Sequence, residues 1–187
     1  MVTPVDRFSV AGRTACVTGA SGGLGRQCAD ALAAAGAAVI GVARREAELA
    51  DWAASGAGKR AYIAADLMDE AGLEALCDEI VAPFGAPDIL VHAAGVNLRQ
   101  PADEVTAEGW QQTLWLNLTV PFLLGQKLVP HMKQRRWGRI VNFASVQSSR
   151  AFPDGIAYGA SKGGVAQMTR AMAEAWSADG INANALG

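Results

Sequence analysis

The stretch Thr18-Gly-Ala-Ser-Gly-Gly-Leu-Gly25 connects a short apolar run, residues 13–17, to a run rich in alanine and leucine, residues 23–36. The first run is typical of a buried strand and the second of a helix. A glycine-rich turn from a first strand into a first helix is where a doubly wound sheet binds a pyrophosphate. The free N–H groups and the positive dipole at the helix start attract such an anion.

The glycines of this stretch have separate predicted tasks. Gly19 makes the tight turn, Gly23 lets the backbone approach the phosphates, and Gly25 lets the helix pack closely. Ser21 and Leu24 of the same loop are predicted to share in the binding. The alternative is a glycine-rich turn that binds no ligand. The position of this turn directly after the first strand favours a dinucleotide site. The loop is not a P-loop, because no Gly-Lys-Ser/Thr follows.

Strand-like and helix-like runs alternate along the rest of the chain. This alternation predicts an α/β fold with a doubly wound parallel sheet, in which one domain spans residues 1–187. The strand runs are apolar throughout, which indicates that helices cover both faces of the sheet. The predicted strands cover residues 13–17, 38–42, 60–65, 88–92 and 139–143, and a sixth begins at Ile181. The predicted helices cover residues 23–36, 45–55, 69–84, 106–133 and 158–178.

Composition excludes several classes of protein. Hydrophobic residues make up 51% of the 187, which is enough to build a core. The 16 basic and 18 acidic residues leave a net charge of −2, so the chain lacks the basic excess that nucleic-acid binding needs. The longest uncharged stretch near the start, residues 31–43, is shorter than the roughly 20 residues of a membrane-spanning helix.

Cysteine and histidine usage excludes a disulfide framework and a metal centre. The 3 cysteines, Cys16, Cys28 and Cys77, are far apart and form no CxxC pair, so we expect small core residues rather than ligands. The 2 histidines are too few for a histidine-rich metal site. Residues 1–8 lack the basic start and apolar run of a secretory signal. A cytoplasmic protein without a bound metal is predicted.

The end of the second strand bears on the choice of nucleotide. An acidic residue there bonds the ribose 2′-hydroxyl of NAD. Ala43 occupies that position and Arg44 follows, and an arginine there can pair with a 2′-phosphate. NADP is therefore favoured, with NAD kept open. The alternative is that Arg44 and Arg45 merely begin a solvated helix; Glu46 and Glu48 are weaker candidates for the ribose.

A second set of polar residues follows the fifth strand. Tyr158 and Lys162 stand four residues apart in the last predicted helix, so the phenol and the ammonium project from one face. The positive charge favours the phenolate, which can act as general acid or base on an alcohol or carbonyl. Ser145 could hydrogen-bond the same substrate oxygen. Asn117, in an apolar part of the long helical region, is either a functional group or a helix-kinking one.

In combination these residues resemble the short-chain dehydrogenase/reductases, whose core is a Rossmann-like sheet. The resemblance extends from residue 8 to residue 187. It rests on Thr18-Gly-x-x-x-Gly-x-Gly25, Asp66-Leu67, Asn117, Ser145 and Tyr158-x-x-x-Lys162.

The resemblance implies a role for each residue. Tyr158 is the acid or base on the substrate oxygen, and Lys162 activates it and bonds the nicotinamide ribose. Ser145 orients the substrate, and Asn117 holds a water that links Lys162 to solvent. Hydride passes between the nicotinamide and the substrate carbon.

The resemblance also adds to the cofactor site. It implies that Asp66 bonds the adenine with Leu67 beside it, and that Ala94 and Gly95 line the adenosine ribose. It further implies a homodimer or homotetramer formed through the two long helical regions. Both regions carry more apolar residues than one sheet-facing stripe requires.

The chain departs from the family pattern in three places. His92-Ala93 stands where the family has Asn-Asn. The loss of hydrogen bonds is expected to weaken the local sheet, with His92 partly substituting; a structural role for His92 is favoured over the alternative of a catalytic one. Asn182-Ala183-Asn184 stands where Arg-Val-Asn is usual. The family continues beyond the position of Gly187 with a substrate-covering segment and a seventh strand. We therefore expect these 187 residues alone to have weak activity or none.

Residues 96–100 and 146–150 are predicted to border the substrate. They are polar and include Arg99 and Arg150, which favours a sugar acid or a polyol; a 3-oxoacyl compound is a further candidate, and a steroid is disfavoured. The alternative is that both arginines point into solvent. Two other functions stay open, namely a nucleotide-binding regulatory protein without turnover and a lyase or epimerase that uses the nicotinamide transiently.

Overall fold

Six parallel strands form one sheet in the order β3-β2-β1-β4-β5-β6. The computed structural model describes residues 9–187, so the prediction that residues 1–8 are no secretory signal lies outside the described residues. The predicted doubly wound α/β domain is confirmed. The strands are β1 (Thr14–Thr18), β2 (Ala38–Ala43), β3 (Arg60–Ala64), β4 (Ile89–His92), β5 (Gly138–Phe143) and β6 (Ile181–Leu186).

The helices connect successive strands, and most bounds agree with the predictions to within a few residues. The long predicted helix over residues 106–133 is divided in two by a π turn, Trp115–Thr119. The helices are α1 (Gly23–Ala34), α2 (Glu46–Ser55), α3 (Leu73–Val81), α4 (Ala107–Leu114), α5 (Val120–Arg135) and α6 (Ile156–Trp176). Within residues 9–187, none of the helices has the length and apolarity to cross a membrane.

Helix α3 begins later than predicted. The acceptor for the backbone N–H of Gly72 is the Asp69 side chain, and the N–H of Asp69 bonds the carbonyl oxygen of Asp66. Asp favours such local turns because its side chain competes for backbone donors. The segment before Leu73 is therefore a turn.

The sheet register places three strand ends side by side. Thr18 of β1 lies opposite Val42 of β2 and opposite His92 of β4. The chain order reverses between β1 and β4, and ligands of doubly wound sheets bind at this switch point. The residues that follow these three strands consequently share one edge of the sheet.

The core has two layers, one on each face of the sheet. Leu90 of β4 belongs to the layer formed with α3, α5 and α6, and Val91 belongs to the layer formed with α1 and α2. Strands β1 and β4 are buried along their whole length, as predicted.

The two outer strands, β3 and β6, are less buried than the inner strands. In β6, Ile181 and Ala183 are buried while Asn182 and Asn184 are exposed, and β3 is also only partly buried. An edge strand has a pairing partner on one side only, and here one face also remains uncovered.

The apolar surplus on the long helices is mostly core, contrary to the expectation from sequence. Val165 and Met172 are buried, and Trp115 and Trp176 pack against the same core layer. Two large apolar residues of these helices stay exposed, Phe122 of α5 at 40% and Ile156 of α6 at 51%.

Candidate active site

A cleft of about 430 Å³ opens at the carboxyl edge of the sheet, beyond β1 to β4. The glycine-rich loop forms one wall, and the residues that follow β2, β3 and β4 form the others. All ten predicted cofactor residues outside α6 line this cleft. They are Gly19, Ser21, Gly23, Leu24, Gly25, Arg44, Asp66, Leu67, Ala94 and Gly95.

Two glycines allow close backbone packing around this loop. Gly19 has φ of 73°, and a Cβ there would lie 2.8 Å from the backbone nitrogen of Ala94. A Cβ on Gly25 would lie 2.4 Å from the carbonyl oxygen of Gly19. These contacts are with backbone atoms, which cannot move aside as a flexible side chain can. Gly19 and Gly25 therefore set the distances between the loop, α1 and the end of β4.

The start of α1 suits a phosphate group. Gly22 caps the helix with an extended backbone and provides no side-chain hydrogen bond. The first N–H groups of a helix have no partner within the helix, so here they are available to an anion in the cleft. Gly23 has φ of 54°, and a Cβ there would have no heavy atom within 4 Å, so the loop leaves open space above it. The residues present thus fit a dinucleotide pyrophosphate.

Both arginines after β2 reach the cleft, but their contacts differ. Arg44 is exposed and lines the cleft, and among residues 9–187 it forms no ion pair. The guanidinium of Arg45 donates to the Ser21 hydroxyl at 3.2 Å and to Glu48 at 3.1 Å. Its Nη2 also lies 2.8 Å from where a Cβ of Gly22 would stand. The sequence pointed to Arg44 and missed Arg45, whose contact with Ser21 depends on the folded loop.

The loop after β3 forms the wall of the cleft at which the resemblance implies adenine binding. Asp66 is exposed and lines the cleft, and its Oδ1 accepts the N–H of Met68 at 3.0 Å. Leu67 is buried, and its carbonyl oxygen accepts the indole N–H of Trp115 at 2.9 Å. Trp115 therefore ties the π turn to this wall of the cleft.

Tyr158 and Lys162 lie one turn apart in α6, as the spacing predicted. The Lys162 ammonium nitrogen is 5.5 Å from the centre of the Tyr158 ring and donates to the carbonyl oxygen of Phe143 at 2.6 Å. Lys162 is only 5% exposed, and burial lowers the pKa of its ammonium from the usual range to about 8. A largely buried cation is thus held on the same side of α6 as the phenol.

Asn117 lies in the π turn, and both the oxygen and the nitrogen of its side-chain amide form hydrogen bonds. Its Oδ1 accepts the N–H of Val96 at 2.8 Å, and its Nδ2 donates to the carbonyl oxygen of Val96 and to the hydroxyl of Ser161. A Cβ on Gly95 would be 3.1 Å from Asn117 Oδ1 and 3.9 Å from Lys162 Nζ. Asn117 therefore joins the loop after β4 to α6. Its role as a water holder stays a prediction.

Ser145 begins a 3-10 turn, Val146–Ser148, directly after β5. Its hydroxyl accepts the N–H of Gln147 at 3.1 Å. Gly187 lies against the backbone of Ser145, since a Cβ on Gly187 would be 2.8 Å from the Ser145 nitrogen. The end of β6 thus borders the serine.

The two segments predicted to border the substrate meet in a second cleft of about 560 Å³. Gln100, Gln147 and Arg150 line it together with the start of α6. The Oε1 atom of Gln147 is buried and has no hydrogen-bond partner in the described part of the chain. Arg99 is exposed and is not among the residues lining this cleft.

His92 does not replace the missing asparagine hydrogen bonds, contrary to the expectation from sequence. Both ring nitrogens are buried without a hydrogen-bond partner in residues 9–187, and so is Oδ1 of Asn142, its neighbour in register on β5. Burial lowers the pKa of His92 from its usual range to about 4. Between β4 and β1 the N–H of Ala94 instead bonds the Thr18 hydroxyl at 3.2 Å.

The described residues include no group of three or more histidine, cysteine, aspartate or glutamate side chains that could hold a metal ion.

A family model described as short chain dehydrogenase matches residues 13–187. The chain is 36% identical over 182 residues to a D-threitol dehydrogenase of Mycolicibacterium smegmatis, covering 96% of this chain and 70% of the relative. It is 38% identical over 187 residues to a gluconate 5-dehydrogenase of Gluconobacter oxydans, covering 97% and 72%.

Among solved structures, the chain is similar to a gluconate 5-dehydrogenase from Burkholderia cenocepacia in complex with NADP and tartrate. The TM-score is 0.89 at 35% sequence identity, and the match covers 98% of this chain and 73% of that one.

Proposed function

The chain belongs to the short-chain dehydrogenase family and is an NAD(P)-dependent oxidoreductase acting on CH–OH groups, and we propose that it interconverts a secondary alcohol and a ketone of a sugar acid or polyol, with NADP as the favoured cofactor. The observation that carries the proposal is the Tyr158 and Lys162 pair, held at the end of β5 beside a cleft that fits a dinucleotide.

In the proposed reaction Tyr158 is the base for alcohol oxidation. The phenolate takes the proton of the substrate hydroxyl, and the buried ammonium of Lys162 favours that phenolate by its charge. Ser145 hydrogen-bonds the same oxygen and orients it. The bound nicotinamide supplies the hydride acceptor.

Contacts at the end of β2 support the preference for NADP. Arg44 lines the cleft, and Arg45 stands over the glycine-rich loop at Ser21, so two guanidinium groups flank one wall. Arginine binds phosphate oxygens through paired N–H donors. Ala43 offers no carboxylate that would repel a 2′-phosphate. The NADP in the Burkholderia relative points in the same direction.

The polar lining of the second cleft supports a hydroxylated or anionic substrate. Gln147 offers an amide and Arg150 a cation, and Gln100 stands with them. A site with polar groups that have no protein partner disfavours an apolar substrate, because those groups would be buried unpaired. The names of the relatives, which include gluconate 5-dehydrogenases and a threitol dehydrogenase, agree with this class.

The test is NADPH formation with a panel of D-gluconate, D-threitol, 3-hydroxybutyrate and a steroid alcohol. We expect turnover with D-gluconate or D-threitol, weak where these 187 residues act alone, and none with the steroid. In the matched variant Tyr158→Phe, kcat falls at least about 100-fold while NADPH binding measured by fluorescence is unchanged.

Three outcomes contradict the proposal. Turnover that persists in Tyr158→Phe shows that Tyr158 is not the catalytic base. NADPH binding without turnover of any panel compound favours a nucleotide-binding regulatory protein. Product formation without net NADPH points instead to a lyase or an epimerase.

A homodimer or homotetramer is also proposed, with α4, α5 and α6 at the interface. The exposed Phe122 on α5 supports an apolar contact there. Light scattering at micromolar concentration tests this, and a monomer contradicts it. We further propose a cytoplasmic location, since the free thiols of Cys16, Cys28 and Cys77 suit a reducing compartment.

A further inference from the structure

The turn after β5 packs on a face of α6 made of three glycines. Gly155, Gly159 and Gly163 are spaced four residues apart, so they lie on one face of the helix start. A Cβ on Gly159 would be 3.6 Å from the carbonyl oxygen of Gln147, and one on Gly163 would be 3.7 Å from that of Ser148. The absence of side chains there lets the backbone of the turn approach the helix closely.

The hydroxyl of Ser148 connects the two parts of the catalytic site. It donates to the carbonyl oxygen of Lys162 at 2.8 Å. The hydroxyl oxygen of Ser148 also accepts the backbone N–H of Ser145 at 3.2 Å. One side chain therefore bridges the main chains of both residues, which are 17 positions apart in the sequence.

Hydrogen bonds within the turn hold both the side chain and the main chain of Ser145. The hydroxyl of Ser145 is already oriented by the N–H of Gln147 at 3.1 Å, and the N–H of Ser148 bonds the carbonyl oxygen of Ser145 at 2.8 Å. The turn is therefore closed within itself. Within residues 9–187 the Ser148 side chain makes two hydrogen bonds, and the one to Lys162 reaches out of the turn to the helix that carries Tyr158.

We propose that Ser148 is a positioning residue, which latches the Ser145 turn to the catalytic helix and so fixes the Ser145 hydroxyl relative to Tyr158 and Lys162. The inference rests on the proposed function, in which Ser145 and Tyr158 bind the same substrate oxygen. Catalytic rates respond steeply to such geometry, because small misplacements of reacting groups are costly. Ser148 also lines the second cleft, but in this role it acts through the Ser145 turn and not on the reacting atoms.

Amide hydrogen exchange tests the latch without any substrate. In Ser148→Ala the Ser145 amide loses its acceptor, so we expect exchange in a peptide covering residues 144–149 to become about five- to tenfold faster. The control is Ser177→Ala, an exposed serine at the far end of α6, in which exchange of that peptide stays unchanged. Unchanged exchange in Ser148→Ala overturns the latch.

Steady-state kinetics test whether the Ser148 latch positions the catalytic groups. The assays use NADP⁺ with D-gluconate, or with the panel compound that is turned over fastest. We expect Ser148→Ala to lower kcat about tenfold, while KM and the Kd for NADPH stay within about twofold. Ser148→Thr keeps the hydroxyl and should recover kcat to within about threefold of the wild type. A purely structural role would lower thermal stability without this split between kcat and KM.

The two proposals fail in different ways. If the wild type turns over no panel compound, the proposed substrate class is wrong, and hydrogen exchange still decides whether Ser148 holds the turn. If the wild type is active and Ser148→Ala keeps its kcat, or Ser148→Thr fails to recover it, the positioning role is wrong and the proposed function stands.

Discussion

The ammonium of Lys162 donates a hydrogen bond to the carbonyl oxygen of Phe143, the last residue of β5, at 2.6 Å. This bond joins α6 to the end of β5. It also satisfies a buried charge with a backbone acceptor, since Lys162 is almost fully buried. The charge beside Tyr158 is thus held by the fold itself rather than by an acidic partner.

Replacing Lys162 by methionine should lower the activity of the protein and raise its stability. Without the ammonium the phenolate of Tyr158 is disfavoured, so we expect kcat to fall about 100-fold. Because the folded state lowers the pKa of Lys162 to about 8, it disfavours the charged form, and that cost is present below about pH 8. We therefore expect the free energy of unfolding at pH 7 to rise by about 1 kcal/mol.

Steady-state kinetics and urea unfolding measure these two effects. Lys59→Met, at an exposed lysine, is the control and should leave kcat unchanged. A Lys162→Met protein that loses activity only because it is less stable would argue against the electrostatic role.

Replacing Arg44 by alanine should change the choice of cofactor. A charge-assisted hydrogen bond contributes about 1.5–3 kcal/mol, so we expect NADPH affinity to fall at least about tenfold. Arg45→Ala should have a smaller effect, because Glu48 already neutralises part of its charge. NADH affinity should stay the same in both variants, since NADH has no 2′-phosphate.

Titration calorimetry of the wild type and the two variants with both nucleotides gives the six dissociation constants. Arg170→Ala, an exposed arginine on α6, serves as the control. An equal loss of NADH and NADPH affinity in Arg44→Ala would show that the arginine supports the loop rather than reading the 2′-phosphate.

Replacing Gly25 by alanine should damage the cofactor loop. The added Cβ would stand 2.4 Å from the carbonyl oxygen of Gly19, so the loop or the start of α1 must shift. We expect a loss of about 1–3 kcal/mol in the free energy of unfolding and at least about a tenfold loss of NADPH affinity. Unfolding curves and fluorescence titration measure both.

Gly125→Ala is the matched control for this substitution. Gly125 lies within α5, and its Cβ would be 3.6 Å from Met172, an ordinary contact. There the alanine should be neutral or stabilising by up to about 1 kcal/mol, because glycine is a poor helix former. Similar losses at both positions would contradict the steric account of Gly25.

His92 should make the protein sensitive to mild acid. Its folded-state pKa of about 4 lies below the ordinary value of 6.5, so the unfolded chain binds a proton that the folded chain excludes. The contribution of His92 to stability is therefore present above about pH 6.5 and is lost as the pH falls towards 4. At pH 5 this loss amounts to about 2 kcal/mol.

The matched variant is His92→Asn, which does not titrate and offers a donor to the unpaired Oδ1 of Asn142. Urea unfolding at pH 7.5 and pH 5 should show a drop for the wild type that is about 2 kcal/mol larger than for the variant. Parallel losses in the two proteins would mean that other groups dominate acid unfolding.

The sequence alone determined the sheet and most of the site. Alternation of apolar strands and helices requires a parallel sheet, and the glycine-rich turn after the first strand places the cleft at its carboxyl edge. The spacing of Tyr158 and Lys162 gives their common helix face, because helical geometry is local. These features depend on residues close together in the chain.

Tertiary structure decided what depends on distant segments meeting. The contact of Arg45 with Ser21, the bridge from Ser145 through Ser148 to Lys162, and the unpaired nitrogens of His92 have no signature in local sequence. The apolar residues of α6 likewise looked like surplus until the core accounted for them. Periodicity reports which face of an element is apolar, whereas the partner of each polar atom is fixed only when the elements pack together.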